Sequence, residues 1–363
     1  MIHMKRKFVI ATALLVLSLM FSSPPRVVTQ DTPDVSDVKV LILLTDFFGW
    51  NYFDAKECLE GWGANVTTAA HSLDYDIASC LNKDPRPIVA DLLMSEMTPE
   101  MVSEFDCLLL TSGGHWQSMI NSIAVMNFVS DAFDMGLIIA SICTGTRMVA
   151  EANDIVNGSK VVSYTLSSPQ MVEAGATTVW GMEAVADGQI ITGGRGGGPT
   201  GGGYLEAPTS EVCVEIIRKV LGLSRVSDIS LNPDRGMVGT NFSISASINN
   251  LNETLGDILS TDINKVTAQI YGHGNRTLID SIELVDDDLD GNYTGHFIGQ
   301  TNGDYVIDIE VEDTNETLEV QKELAVFAVG PVPTEPIDIL VVSAIAGSGI
   351  IIIVLVAALA KKK

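Results

Sequence analysis

The sequence predicts an α/β domain followed by an all-β domain, and three observations lead to that prediction. Over residues 38–224, apolar β-branched runs alternate with amphipathic helical patterns, as they do in a parallel α/β sheet. Over residues 225–330, apolar and polar residues alternate and turn signals separate the runs, which is typical of an antiparallel, immunoglobulin-like or fibronectin-like sandwich. A last apolar run, residues 339–360, contains no charged residue.

The first domain is predicted from apolar strands and from the helical patterns between them. The strands are expected at 38–44, 65–70, 107–110, 137–142 and 188–192, with short ones near Val161 and Thr178. Helices are expected at 53–62, 118–133 and 210–221. The regular alternation indicates one sheet covered by helices on both faces.

Cys143 stands where the apolar run 137–142 stops abruptly. A small residue and Gly145 follow, and then a helical pattern begins at once. This order of strand, sharp turn and helix lifts the thiol out of the sheet and aims a helix N-terminus at it. We therefore expect unpaired amides and the helix dipole to favour the thiolate. The alternative is a small buried hydrophobe at a strand end, and the turn chemistry favours the nucleophile.

Both ends of the chain have the character of membrane-targeting segments. A basic start followed by the apolar run 8–21 predicts a signal peptide over residues 1–25. Residues 339–360 are long enough, as a helix, to cross a hydrocarbon core of ~30 Å, and a stalk is expected at 331–338. Lysines at 361–363 indicate the cytoplasmic side. The prediction is a single-pass cell-membrane protein with its ectodomain outside and its C-terminus in the cytoplasm.

The charge and the sequons fit the same prediction. The formal net charge is −25, from 46 acidic and 21 basic residues, and such a surface repels nucleic acid. Five of the seven Asn-x-Ser/Thr sequons lie in the second predicted domain or its immediate flank, which suits a glycosylated cell-surface protein. The sequons begin at Asn65, Asn157, Asn241, Asn252, Asn275, Asn292 and Asn315.

The five cysteines have no metal-binding spacing. All lie in the first domain, and an odd number leaves at least one thiol free, for which Cys143 is the candidate. The sequence does not decide whether a disulfide joins Cys58 and Cys80.

Residues 286–291 resemble the start of a calcium-binding loop. The twelfth position of such a loop is Phe297 here and no helices flank it, so a hairpin turn is favoured. Neither a metal nor a cofactor is predicted.

The glycine-rich stretch 193–203 is not predicted to be a phosphate-binding loop. It lacks the lysine and serine or threonine ending of a P-loop and does not clearly open a helix, so a flexible lid or loop is the better interpretation.

An ordered set of landmarks in the first domain resembles the ThiJ/PfpI family, within the class I glutamine amidotransferase-like superfamily. The landmarks are 38–43, 105–110 before Gly113 and Gly114, 140–145, 158–161 and 187–192. The resemblance implies a flavodoxin-like α/β sandwich, often assembled as a homodimer or larger ring. It also implies glyoxalase- or deglycase-like, peptidase-like, chaperone or redox-sensing activity.

The resemblance assigns roles to several residues near the cysteine. Cys143 would be the nucleophile. The backbone amides of Thr144 and of either Gly113 or Gly114 would form an oxyanion hole.

The usual acid and base partners of the family are replaced in this chain. Asn51 stands where the family has a glutamate that contacts the thiol, and Tyr164 stands where the glyoxalase-like branch has a histidine. Thr144 replaces the histidine of the peptidase-like branch. His115 is the nearest substitute as proton carrier, or else a polar turn residue. Asp46 is a second candidate, with helix capping as its alternative.

The combined prediction is a membrane-tethered extracytoplasmic enzyme that uses Cys143 on a small carbonyl, amide or peptide substrate. The missing acid and base partners favour the alternative, a non-catalytic surface module that binds a ligand or senses redox state. An adhesive or structural surface protein is a third hypothesis, which rests on the acidic sandwich and the sequons.

Overall fold

The computed structural model describes residues 34–77, 87–194, 207–250, 262–331, 344–346 and 349–351. The chain divides into two compact units. The first, the α/β unit, takes in the described chain up to Arg225 together with the turn Glu312–Glu319. The second, the β-rich unit, contains Val226–Ile248 and Lys265–Val311. The predicted signal peptide, residues 1–25, lies outside the described residues, as does nearly all of the predicted stalk.

A mostly parallel sheet forms the centre of the α/β unit. The strands of this unit are β1 (Lys39–Leu44), β2 (Asn65–Ala70), β3 (Asp76–Ile77), β4 (Ile88–Val89), β5 (Leu92–Leu93), β6 (Cys107–Leu110), β7 (Ile138–Ile142), β8 (Lys160–Val161), β9 (Thr177–Thr178), β10 (Ala184–Asp187) and β11 (Ile190–Gly193). Strands β3 and β4 form a separate two-stranded sheet, and so do β8 and β9. Within this unit the main sheet runs β10-β11-β7-β6-β1-β2-β5. All of these neighbours are parallel except β10 and β11. The carboxyl ends of β1, β6 and β7 therefore meet at one edge.

Helices cover both faces of this sheet. They are α1 (Asn51–Trp62), α2 (Pro99–Val102), α3 (Trp116–Ile120), α4 (Ile123–Asp134), α5 (Thr146–Glu151), α6 (Ser168–Glu173) and α7 (Thr209–Val220). Along β1, Ile42 and Leu44 pack with α1 and α7, whereas Leu41 and Leu43 pack with α4 and α5 on the other face. All four side chains are fully buried. Successive side chains of a strand point to opposite faces of the sheet, and here helices cover both faces. The predicted flavodoxin-like α/β sandwich is confirmed.

The β-rich unit follows the α/β unit. Its strands are β12 (Val226–Asn232), β13 (Arg235–Gly236), β14 (Asn241–Ile248), β15 (Ile263–Gly272), β16 (Leu278–Leu284), β17 (Asn292–Ile298), β18 (Gly303–Asp313) and β19 (Thr317–Val329). Antiparallel pairing joins β12 to β14 and β14 to β17. Every second residue of β14 is buried, beginning with Phe242, whose ring lies 4.8 Å from that of Phe327. The expected β-rich region is therefore present.

The apolar C-terminal run does not form the predicted membrane-crossing helix. Its described parts are two short antiparallel strands, β20 (Ala344–Ala346) and β21 (Gly349–Ile351), and the rest of 339–360 lies outside the described residues. Among the residues that the structure describes, no helix is long and apolar enough to cross a membrane. The prediction of a transmembrane helix, and with it that of a single-pass cell-membrane protein, is therefore wrong. Length and hydropathy do not distinguish a helix from strands, and this run is rich in β-branched isoleucine and valine.

A buried ionic network fixes α7 to the turn Glu312–Glu319 inside the α/β unit. The Arg218 guanidinium donates to both oxygens of Glu215 and, at 2.6 Å, to Glu319. Arg225 donates to Asp313 at 2.5 Å and to Glu215 at 3.4 Å. All of these side chains are at most 3% exposed. Burial acts to raise the pKa of Glu215, but Arg218 and Arg225 overcome it and hold that pKa below its ordinary value.

Removing one cation from this network should destabilise the α/β unit. We expect Arg218→Met to lower the free energy of unfolding by ~3–5 kcal/mol, because Glu215 and Glu319 would stay buried with too little positive charge. Urea unfolding of the full chain measures this. Lys56→Met is the matched control, because its partner Glu60 is 47% exposed, and it should cost less than about 0.5 kcal/mol. Equal unfolding midpoints for the two variants would contradict the role assigned to the network.

Candidate active site

The predicted strand, turn and helix around Cys143 are confirmed. Strand β7 ends at Ile142, a 3-10 turn spans Cys143–Gly145, and α5 follows directly. Cys143 has a φ of +53°, in the left-handed region that L-residues with a Cβ avoid. Gly145 makes the turn sterically feasible, because a Cβ there would lie 2.3 Å from the carbonyl oxygen of Leu110. The strand end and the helix start are thus brought within one turn of each other.

Thr144 joins the cysteine turn to the turn that follows β6. Its Oγ1 accepts a hydrogen bond from the Gly113 amide at 3.0 Å and donates to the Gly113 carbonyl at 3.2 Å. The Gly113 amide, one of the two predicted oxyanion donors, is therefore engaged with a side chain. The Gly114 amide makes no hydrogen bond within the described part of the chain, and Gly114 is exposed. Of the two glycines, Gly114 is thus the one with a donor left for a ligand.

The thiol of Cys143 is not a thiolate at neutral pH. Its residue is only 3% exposed, and burial raises the thiol pKa to about 11. The backbone of Thr144 and the charge of Arg147 lower the pKa but do not offset the burial. This differs from the expectation that amides and a helix dipole would favour the thiolate. The helix involved has only six residues, and desolvation outweighs its dipole.

Asn51 holds the turn after β6 against the start of α1. Its Oδ1 accepts from both the backbone amide and the hydroxyl of Ser112, at 3.1 and 2.7 Å. Asn51 is 1% exposed, and its Nδ2 has no hydrogen-bond partner in the structure. The same turn passes so close to the loop after β1 that a Cβ on Gly113 would lie 2.4 Å from the Gly49 nitrogen. Asn51 thus positions the turn after β6, which carries Gly113 and Gly114, and contributes a buried amide donor.

His115 lies at the start of α3 and is 1% exposed. Within the described residues neither ring nitrogen makes a hydrogen bond of good geometry, and none joins the ring to Cys143; the nearest polar groups are the backbones of Thr111 and Phe47. Burial lowers the His115 pKa to about 4, although backbone groups of Thr111 and Phe47 act in the opposite direction. The ring is therefore neutral at pH 7, the form that can accept a proton. Its role as proton carrier stays a prediction.

The other two predicted positions lie on different segments. Asp46 is exposed in the loop after β1, next to Phe47, which has a φ of +71° and is 64% exposed. Tyr164 is half-buried and packs against the core on the α1 and α7 face of the sheet. Its carbonyl accepts from the Ser167 amide at 2.6 Å. Tyr164 is thus a packing residue, and the role of Asp46 stays a prediction.

Arg147 is a site residue that the sequence reasoning missed. It follows Cys143 by four residues, at the start of α5, and its charge lowers the pKa of the Cys143 thiol. Its guanidinium carbon lies 4.0 Å from the centre of the Trp116 ring. The sequence signal for this residue is an arginine four positions after the cysteine, at the start of the helix that follows the turn.

The remaining cysteines of the described chain are free thiols. Cys58 is half-buried, and Cys107 and Cys213 are buried. Burial raises the pKa of each of these thiols. Cys58 is therefore not bridged, and Cys80 lies outside the described residues. Cys143 differs from the other three in its left-handed backbone and in having an arginine beside it.

One group of carboxylates in the described chain is close enough to share a metal ion. Asp286, Asp288 and Asp290, in the β-rich unit, have oxygens within 4.8 Å of one another. The Asp286 carboxylate accepts from the amides of Asp290 and Gly291, at 3.1 and 2.9 Å. This is a turn closed by its own hydrogen bonds, in agreement with the interpretation favoured from the sequence.

The fold and this geometry define a class of protein, the parallel α/β sandwiches that carry a cysteine at a strained turn after an inner strand. Residues 38–200 match the DJ-1/PfpI family, and this part of the chain is a DJ-1/PfpI family domain. Members of that family include cysteine-dependent hydrolases and deglycases.

Individual similarities are partial. Protein DJ-1 homolog D from Arabidopsis thaliana is 34% identical over 94 residues, which are 25% of this chain and 24% of that protein. The match thus spans about a quarter of the length of that curated relative. A ThiJ/PfpI domain protein from Brachyspira murdochii is 18% identical, with a TM-score of 0.43, over 53% of this chain and 100% of the other.

A third similarity is to a two-domain protein from Anabaena variabilis that contains DJ-1/ThiJ/PfpI-like and ferritin-like domains. It is 21% identical, with a TM-score of 0.41, over 51% of this chain and 47% of the other.

The reactivity of Cys143 should follow the raised thiol pKa. A pKa of about 11 leaves a far smaller thiolate fraction at pH 7 than the ordinary cysteine pKa of about 8.5, so alkylation by iodoacetamide should be roughly 100-fold slower than that of free cysteine. The rate should rise about tenfold per pH unit up to pH 10. Site-resolved mass spectrometry measures it, and Cys143→Ala identifies the peptide. A rate that levels off below pH 8 would contradict the burial argument.

Proposed function

We propose that the DJ-1/PfpI domain is a cysteine-dependent enzyme in which Cys143 attacks a small carbonyl compound. The observation that carries the proposal is the position of the thiol, at a left-handed turn with the Thr144 backbone and the Arg147 charge acting on it. Strain of this kind persists only where the surrounding structure imposes it, and it concentrates at functional sites. The membership of residues 38–200 in a family that includes such enzymes gives independent support.

The proposed step is addition of the sulfur to the carbonyl carbon. The S–C bond forms, the carbonyl π pair moves to oxygen, and the thiol proton passes to a base. The amides of Thr144 and Gly114 would stabilise the oxyanion. With a simple aldehyde or ketone the product is a reversible hemithioacetal or hemithioketal. With a 2-oxoaldehyde such as methylglyoxal, a proton moves from the adduct carbon to the neighbouring carbonyl carbon, which gives the thioester of a 2-hydroxy acid, and water then releases that acid and the thiol. With an amide or ester the adduct expels the amine or alcohol, and water then releases the acid from the thioester.

Burial of the thiol favours a small substrate over a peptide. Cys143 is only 3% exposed, and an extended peptide would need an open cleft at the sulfur, so a compound of a few heavy atoms is the favoured substrate. His115 is proposed as the base, with Asp46 as the alternative. A homodimer through this domain is proposed on the family resemblance.

Turnover tests the proposal directly. We expect the full chain to convert methylglyoxal or another small carbonyl compound, and Cys143→Ser to lower that rate at least about 1,000-fold, because the nucleophile is lost. Cys58→Ser is the matched control, since this half-buried thiol lies on α1 and should leave the rate unchanged. Equal rates for wild type and Cys143→Ser would refute the proposal.

The base assignment has its own test. If the neutral ring of His115 takes the thiol proton, His115→Gln should lower kcat by about 100-fold or more. It should also remove the low-pH limb of the rate profile, near the His115 pKa of about 4. The pH profile of kcat for both proteins is the measurement. An unchanged profile in a folded variant would remove His115 from the mechanism and leave Asp46 to be tested.

A second candidate function is supported by the same burial. A thiol pKa of about 11 and a histidine without hydrogen-bond partners are compatible with a non-catalytic ligand-binding or redox-sensing domain. Under this alternative, no carbonyl, amide or peptide substrate is turned over, while Cys143 still reacts with hydrogen peroxide at high pH. The turnover assay separates the two.

For the β-rich unit we propose an immunoglobulin-like sandwich that acts as a spacer between the α/β unit and the C-terminal segment of the chain. The support is the alternating burial of β14 and the packing of its Phe242 on Phe297 and Phe327. Domain boundaries near 224 and 330 are part of this proposal.

A further inference from the structure

The Arg147 guanidinium is held in one place by three neutral groups. It stacks on the Trp116 ring, Nε donates to Ser167 Oγ at 3.3 Å, and Nη2 donates to the Leu166 carbonyl at 3.0 Å. These partners come from α3 and from the segment before α6, so two separate elements of the α/β unit fix the side chain. The entropy of ordering a long side chain is therefore already lost before any ligand binds.

The charge of this guanidinium is not neutralised by the described part of the protein. A guanidinium has five N–H groups, and only two of them donate in the hydrogen bonds above. Within the described residues Arg147 forms no ion pair, whereas Arg218, Arg225 and Arg276 each pair with a carboxylate. In a chain with 46 acidic and 21 basic residues, carboxylates are abundant, and none of the described ones pairs with this cation.

The uncompensated charge lies beside the thiol. The charge of Arg147 lowers the pKa of the Cys143 thiol, and Arg147 lies in the first turn of α5, directly after the 3-10 turn that carries Cys143. Trp116, the stacking partner, is two residues beyond Gly114, whose amide is the proposed oxyanion donor. Nucleophile, oxyanion donors and fixed cation thus share one edge of the sheet.

We infer that Arg147 binds an anionic group of the compound on which Cys143 acts, so that the substrate class is small compounds bearing a carboxylate next to an ester or amide carbonyl, such as oxalate monoesters. The sulfur adds to that carbonyl, the alcohol or amine leaves, and water hydrolyses the resulting thioester. This inference rests on the proposed function for the carbonyl and on the geometry of Arg147 for the anion. Two free N–H groups of a planar guanidinium match the two oxygens of a carboxylate. The carbonyl attached to that carboxylate is then presented to the sulfur.

The test compares two ethyl esters of the same size in the full chain. Monoethyl oxalate carries a carboxylate next to the ester carbonyl, and ethyl oxamate carries a neutral amide in its place. Charge-assisted hydrogen bonds predict a kcat/KM for monoethyl oxalate roughly 10- to 100-fold above that for ethyl oxamate, mainly through KM. Arg147→Met should abolish the preference. Because the variant also removes a charge that acts on Cys143, turnover of both substrates should become slower. The readout is therefore the ratio of the two kcat/KM values.

Two further variants separate binding from folding. Arg147→Lys keeps the positive charge but lacks the paired N–H donors of a guanidinium, so it should retain only part of the preference for the carboxylate-bearing substrate. Arg276→Met is the matched control, because Arg276 also stacks on an aromatic ring, that of Tyr271 at 4.4 Å, but lies in the β-rich unit. It should leave the ratio unchanged. Equal loss of both activities in Arg147→Met, with the ratio preserved, would overturn the inference.

A binding measurement distinguishes failure of this inference from failure of the proposed function. Oxamate, which cannot react in a protein without the Cys143 thiol, is titrated calorimetrically into Cys143→Ala with Arg147 intact and into the Cys143→Ala, Arg147→Met double variant. A dissociation constant at least tenfold higher in the double variant supports the anion site even if neither ester is turned over. Equal binding to both proteins, or binding to neither, would refute the site even if Cys143 proves catalytic.

Discussion

The site depends on how closely three backbones approach one another at the carboxyl edge of the sheet. Gly145 lies against the end of β6, where a Cβ would meet the Leu110 oxygen at 2.3 Å, and Gly113 lies against the loop after β1, where a Cβ would meet the Gly49 nitrogen at 2.4 Å. No side chain fits at either contact. Parallel strands already place β1, β6 and β7 side by side, and the glycines let the turns after them close onto one another. The left-handed backbone of Cys143 is a consequence of that closure.

The same closure determines the electrostatics. Turns packed this tightly exclude water from the sulfur, and exclusion of water raises the thiol pKa more than a six-residue helix lowers it. The amide of Gly113 is engaged with Thr144 for the same reason, since the two turns are held together by that side chain. The ionisation of a buried thiol of this kind depends on the hydrogen bonds and charges close to it. Arg147 is the charge that acts on it.

The parts of the fold that could be predicted from the sequence are those with a local signal. The apolar runs locate β1, β6 and β7 within a residue or two, and the abrupt stop at Cys143 locates the elbow. The helix expected at 118–133 is two helices, α3 and α4, because Ser122 caps the second one through its side chain. The prediction for the C-terminal run failed because hydropathy and length carry no information on whether β-branched residues form a helix or strands.

The parts of the site that could not be predicted from the sequence depend on contacts between distant residues. In the sequence Thr144 is only a replacement for a histidine, whereas in the structure its hydroxyl bonds Gly113, 31 residues away. Asn51 is likewise only a missing glutamate, whereas it holds Ser112, 61 residues away. No periodicity indicates such pairs. His115 stands out because it adjoins Gly114, but adjacency in sequence says nothing about where a ring points.

Among the described residues, Arg147 differs from the arginines that pair with carboxylates. Arg218 and Arg225 are buried with carboxylates, because an unpaired buried charge would cost several kcal/mol. Arg147 is half-buried and fixed by an indole, a hydroxyl and a carbonyl, none of which cancels its charge. Pairing it with a protein carboxylate would stabilise the fold more and would remove the attraction it exerts on the thiolate and on an anion. The proposed anion site rests on this uncompensated cation, whose charge also acts on the thiol of Cys143.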